Sequence, residues 1–130
     1  MKLTLGLVNR LRSIYTEIID HFGHSKFYDW VPRLVIYYNW EKTTLIDGQL
    51  LPEWGEFDPN TEIISINTAY HEDINDIINT MLHEYRHYLQ SPAWETRYNN
   101  MEVYNYETHP YELDAWKFAE EHIDKFIKTR

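Results

Sequence analysis

Asp73-Ile74-Asn75-Asp76-Ile77-Ile78-Asn79-Thr80-Met81-Leu82-His83-Glu84-Tyr85-Arg86-His87-Tyr88-Leu89 is the stretch whose reading decides the fold. Ile74, Ile77, Ile78, Met81, Tyr85 and Leu89 recur three or four residues apart, which predicts a helix over 73–89 with one apolar stripe. Near its end stands His83-Glu84-Tyr85-Arg86-His87, an H-E-x-x-H pattern. Side chains four apart on a helix share a face, so the two imidazoles can converge on one ion. Glu84 leaves the helix from the neighbouring side, where it can reach a water on that ion without binding the ion itself. At about 100° per residue, His83 and His87 fall nearly opposite the Ile77, Met81 and Tyr85 stripe, toward a cleft or solvent.

Two imidazoles do not complete a catalytic zinc site, which takes three protein ligands and leaves a fourth position for water. A metzincin-type extension requires Gly at position 90 and His at position 93; the chain has Gln90 and Ala93. Glu112 is the better candidate. It heads the stripe Glu112, Ala115, Trp116, Ala119, Ile123, Phe126 and Ile127, whose spacing is that of a buried helix face. A carboxylate heading an apolar stripe points inward, where it is costly unless paired or metal-bound. His109 and Glu107 on the preceding segment are the rivals for this role, and Glu112 can also be read as an acid at a helix N-terminus.

Outward from these helices, Leu3, Leu7, Leu11, Ile14, Ile18 and Phe22 predict an N-terminal helix over 3–22, with Gly23 as its stop. The run Arg33 to Trp40 reads as a strand, apolar on both faces and therefore expected at the centre of a sheet. Asp47-Gly48 and Asp58-Pro59-Asn60 are turn signals around extended segments at 49–57 and 61–67. Residues 90–109, with Pro92 and few aliphatics, read as a long loop. A last helix is expected from Pro110 almost to residue 130. The chain is thus expected to form a single α+β domain over 1–130: N-terminal helix, small mostly antiparallel sheet, motif-bearing helix and C-terminal helix.

Composition narrows the chemistry. The chain of 130 residues has no cysteine, so a metal must be held by His, Asp or Glu. Its net charge of −9 is the wrong sign for neutralising phosphates, so nucleic acid is not an expected partner. No run approaches the roughly 20 apolar residues that span a bilayer, and Leu3 to Val8 is too short for a signal-peptide core. The expectation is a cytoplasmic protein with no membrane partner. The sixteen per cent aromatic content predicts tyrosines half-buried with their hydroxyls hydrogen-bonded.

Gly55-Glu56-Phe57, Glu62-Ile63-Ile64-Ser65-Ile66-Asn67 and Leu82-His83-Glu84-Tyr85-Arg86-His87 together resemble the strand-then-active-helix core of zincin metallopeptidases. Glu112-Leu113-Asp114-Ala115-Trp116-Lys117-Phe118-Ala119 is similar to the downstream E-x-x-A-x-x-F-A helix of the ImmA/IrrE-type peptidases, and SprT-like proteins are a second possible relative. The resemblance implies a zincin fold, one Zn2+ held by His83, His87 and Glu112, and Glu84 as general base in the hydrolysis of a peptide or protein substrate. It also implies an extended substrate pairing with the strand at 61–67 or its neighbour. Arg86 departs from the pattern, which usually has an uncharged, often small residue there. His109, Tyr104, Tyr106 and Tyr111 are candidate donors to the developing oxyanion. A zinc module without catalysis, or a metal-free interaction domain, are the readings in other classes.

Overall fold

The computed structural model describes residues 1–46, 48–99 and 109–127. Helix α1 (Leu5–Phe22) starts where Thr4 Oγ1 accepts a hydrogen bond from the Leu7 amide and ends at Gly23, whose φ of 77° only glycine adopts freely. Strand β1 (Arg33–Tyr37) follows, then a hairpin of β2 (Thr43–Ile46) and β3 (Gln49–Pro52), then β4 (Gly55–Asp58) and β5 (Ile63–Asn67). A 3-10 turn at Thr68–Tyr70 leads into α2 (Ile74–Leu89), capped by Asp73 Oδ1 on the Asp76 amide. The chain closes with α3 (Pro92–Asn99), α4 (Pro110–His122) and the short α5 (Asp124–Ile127). The arrangement is α+β. Among the described residues no helix is long and apolar enough to cross a membrane.

The main sheet has the order β1-β5-β4, with β1 parallel and β4 antiparallel to β5. It is therefore mixed, while β2 and β3 form a separate antiparallel pair. β1 lies at an edge, not at the centre: Leu34 is its one buried residue, and the segment at 61–67 occupies the middle. Apolar character on both faces of β1 reflects partial cover by α1, where Arg12 reaches the Leu34 carbonyl at 3.2 Å.

α2 is the central element. Ile77, Ile78, Met81 and Leu82 are fully buried against the sheet, α1 and α4, each worth about 1.5–3 kcal/mol. Its tyrosines anchor loops through their hydroxyls, and Tyr85 and Tyr88 are fully buried, not half-buried as the composition suggested. Tyr85 donates to the Gly23 carbonyl, and Tyr88 donates to the Trp30 carbonyl at 2.6 Å. Tyr15 on α1 does the same to Pro32 at 2.6 Å. His71, buried before α2, spans the Asn67 carbonyl and Thr80 Oγ1 at 2.7 and 2.8 Å and ties the end of β5 to the helix.

β4 approaches α2 so closely that only glycine fits at its start. A Cβ on Gly55 would lie 2.8 Å from Thr80 Cγ2 and 3.0 Å from the Ser65 carbonyl oxygen. The carbonyl belongs to the sheet and cannot yield, so the helix would have to retreat. Gly55→Ala is expected to lower stability by about 1–3 kcal/mol, read as a fall in the thermal midpoint; an unchanged midpoint would show that the strand and helix have slack.

The segment at 92–99 is a helix, not part of a loop. Pro92 opens it at a first-turn position, where its missing N–H costs nothing. Asp47 of the expected turn, and Glu107, Tyr104 and Tyr106, lie outside the described residues.

Candidate metal centre

α2 and α4 pack along one another, and the facing surfaces carry the polar residues that the sequence singled out. His83 and His87 do not face solvent: they are 4% and 6% exposed, sealed between the two helices. Their Nε2 atoms stand 3.1 Å apart. From α4, Glu112 reaches both, with Oε2 at 3.1 Å from His83 Nε2 and Oε1 at 2.8 Å from His87 Nε2. Glu84 lies to one side, its Oε1 3.9 Å from His83 Nε2.

Ligands on a tetrahedral ion at about 2.0 Å sit about 3.3 Å from one another. Two imidazole nitrogens and a carboxylate separated by 2.8–3.1 Å are close to that spacing. The donor set of His83, His87 and Glu112 therefore fits a divalent cation, and the side chains of His83, Glu84 and His87 likewise come within 4.8 Å of one another.

A family model described as a protein of unknown function, DUF3920, matches residues 47–130. The chain belongs to the DUF3920 family. No curated protein and no solved structure matches it. The part of this DUF3920 chain that the family model covers includes β3 to α5, and with them every residue of the cluster.

Burial and charge work against one another in the DUF3920 cluster. Burial raises the Glu84 carboxyl above its usual range, an effect that His87 and His83 only partly offset. The Phe57 amide of β4 also donates to it. For Glu112 burial pushes upward too, but hydrogen bonds from His83 and His87 prevail and hold the carboxyl well below the ordinary range. Burial pulls His87 down, and the hydrogen bond to Glu112 with the charges of Glu84 and Glu112 lifts it to a net rise. Glu112 and His87 thus each favour the charged form of the other.

The other sequence candidates do not join the donor set, though Tyr111 packs against it. His109 is the N-cap of α4, where Nδ1 accepts from the Tyr111 amide at 3.2 Å. Tyr111 lies flat on the His87 ring, 4.1 Å between centroids and 16° between planes. Trp116 is not core, as its place in the stripe suggested. It is 45% exposed and covers the His83 ring at 4.1 Å. Arg86 turns to α4, where Nε meets Asp114 Oδ2 at 2.6 Å and the guanidinium rests over Phe118. Sequence reasoning missed Gln90, which accepts from His87 Nδ1 at 2.7 Å. Its spacing of three from His87, on the same helix face, was the available signal.

Proposed function

We propose that this DUF3920 chain is a zinc-dependent peptidase in which His83, His87 and Glu112 hold the ion and Glu84 is the general base. Zinc when bound supplies a Lewis acid for the carbonyl oxygen and lowers the pKa of water toward about 7. The observation that carries the reading is the position of Glu84, a buried carboxyl beside the three donors but not in contact with Glu112's two partners at bonding distance. Its raised proton affinity suits it to take a proton from water and return it to the departing amine. Tyr111 and Trp116 flank the two imidazoles and hold their ring planes. Among the described residues β4 is an edge strand of the main sheet and touches Glu84 through Phe57, so an extended peptide added along β4 would pass beside the base.

The test is zinc per chain by elemental analysis, on protein purified without chelator or metal-affinity resin. Wild type is expected to hold about one ion and His83→Ala almost none. Wild type that stays free of zinc after the metal is supplied and dialysed away would overturn the reading.

A further inference from the structure

Gln90 closes α2 as its C-cap, and only 3% of it is exposed. Its amide is fully engaged. Oε1 stands 2.7 Å from His87 Nδ1, while Nε2 donates to the Tyr111 carbonyl at 2.8 Å and to Asp114 Oδ2 at 2.9 Å. These partners fix which way the amide faces. A backbone carbonyl has no proton to give, nor has a carboxylate already paired with Arg86 at 2.6 Å. The NH2 end must therefore point at Tyr111 and Asp114, and the oxygen at His87. An amide oxygen only accepts, so His87 Nδ1 carries a proton. In the neutral ring the lone pair then belongs to Nε2, the atom that faces His83 and Glu112.

The same side chain reaches across to the other helix. Tyr111, whose carbonyl it holds, immediately precedes Glu112, so one amide ties the second histidine to the backbone that delivers the carboxylate. The first histidine has no such support. Among the described residues His83 Nδ1 has no hydrogen-bond partner, and the ring is braced by Trp116 instead.

We propose that Gln90 is the positioning residue of this metal centre, setting the tautomer of His87 and the spacing between His87 and Glu112. The proposal rests on the metal-site reading above. Arg86 and Asp114 extend the chain of contacts and hold the amide in its orientation. This gives a role to the arginine that departs from the resembled pattern.

Gln90→Leu removes all three hydrogen bonds at nearly constant volume. In the full chain it is expected to weaken zinc binding about 10–100-fold, measured by chelator competition, as loss of an outer partner of a ligating histidine does. In zinc-loaded wild type the His87 Hδ1 proton should give a slowly exchanging signal in ring-nitrogen NMR spectra, and Gln90→Leu should lose it. Gln90→Glu keeps an acceptor for His87 but loses both donations to α4, so it should retain the proton signal while still binding zinc more weakly. It also decides the matter if the leucine variant does not fold. A purely architectural Gln90 would lower thermal stability and leave zinc affinity and the Hδ1 signal untouched. That result in wild-type-like zinc binders overturns this inference alone; absence of zinc from wild type overturns the metal reading beneath it.

Discussion

Glu84→Gln is expected to keep about one zinc per chain and to lower peptide hydrolysis about 10²–10⁴-fold, the usual contribution of a general base. The substitution preserves shape and leaves an oxygen to accept from the Phe57 amide, so the helix and the three donors should not move. What it removes is proton affinity. Glu84 is 6% exposed and its carboxyl is raised by burial, with His87 and His83 opposing. Glutamine in that position can hydrogen-bond to a water but cannot take its proton. The measurement is hydrolysis of a peptide library by wild type and variant at equal zinc content. Equal rates would remove Glu84 from the chemistry, and loss of zinc would make it a ligand.

Glu112→Ala is expected to empty the site and destabilise the metal-free protein together. Both His83 and His87 lose the carboxylate that stands 2.8–3.1 Å from their Nε2 atoms. The raised imidazole of His87 then loses its nearest counter-charge and keeps only Glu84 and the more distant Asp114 among the described residues. Removing one member of a buried pair costs about 3–5 kcal/mol. Urea unfolding of the apo variant measures that loss, and elemental analysis measures the zinc. A variant that retained both zinc and stability would return the third-ligand role to another residue. His109 is less suited to that role, since its Nδ1 accepts from the Tyr111 amide and the proton of the neutral ring then sits on Nε2.

The centre was more legible in the sequence than the sheet that supports it, and the reason is range. His83 and His87 share a face by helix geometry alone, and Glu112 stood out from His109 and Glu107 as a carboxylate heading an apolar stripe. Both signals are local. The edge position of β1 is not: it depends on β1 pairing parallel with β5, thirty residues on, while β4 takes the other side. Helix α3 was hidden because Pro92 reads equally as a breaker and as a first-turn residue, and Ala93-Trp94 begins no apolar period. Arg86, Gln90 and Trp116 could be seen as residues but not as contacts. What each does depends on how α4 lies along α2, which no spacing within either helix specifies.

The β2–β3 hairpin leaves the domain through a neck that is already closed, because the Glu53 amide bonds the Lys42 carbonyl at 3.1 Å and Tyr37 OH holds Glu53 at 3.1 Å. Beyond that neck, added chain length alters only the entropy of the loop itself, about 0.6 kcal/mol for each doubling. Gly48, exposed at the tip with φ of 80°, is thus a permissive graft point. A fluorophore or an inserted domain carried there would report on the protein while leaving the two helices of the candidate centre where they are.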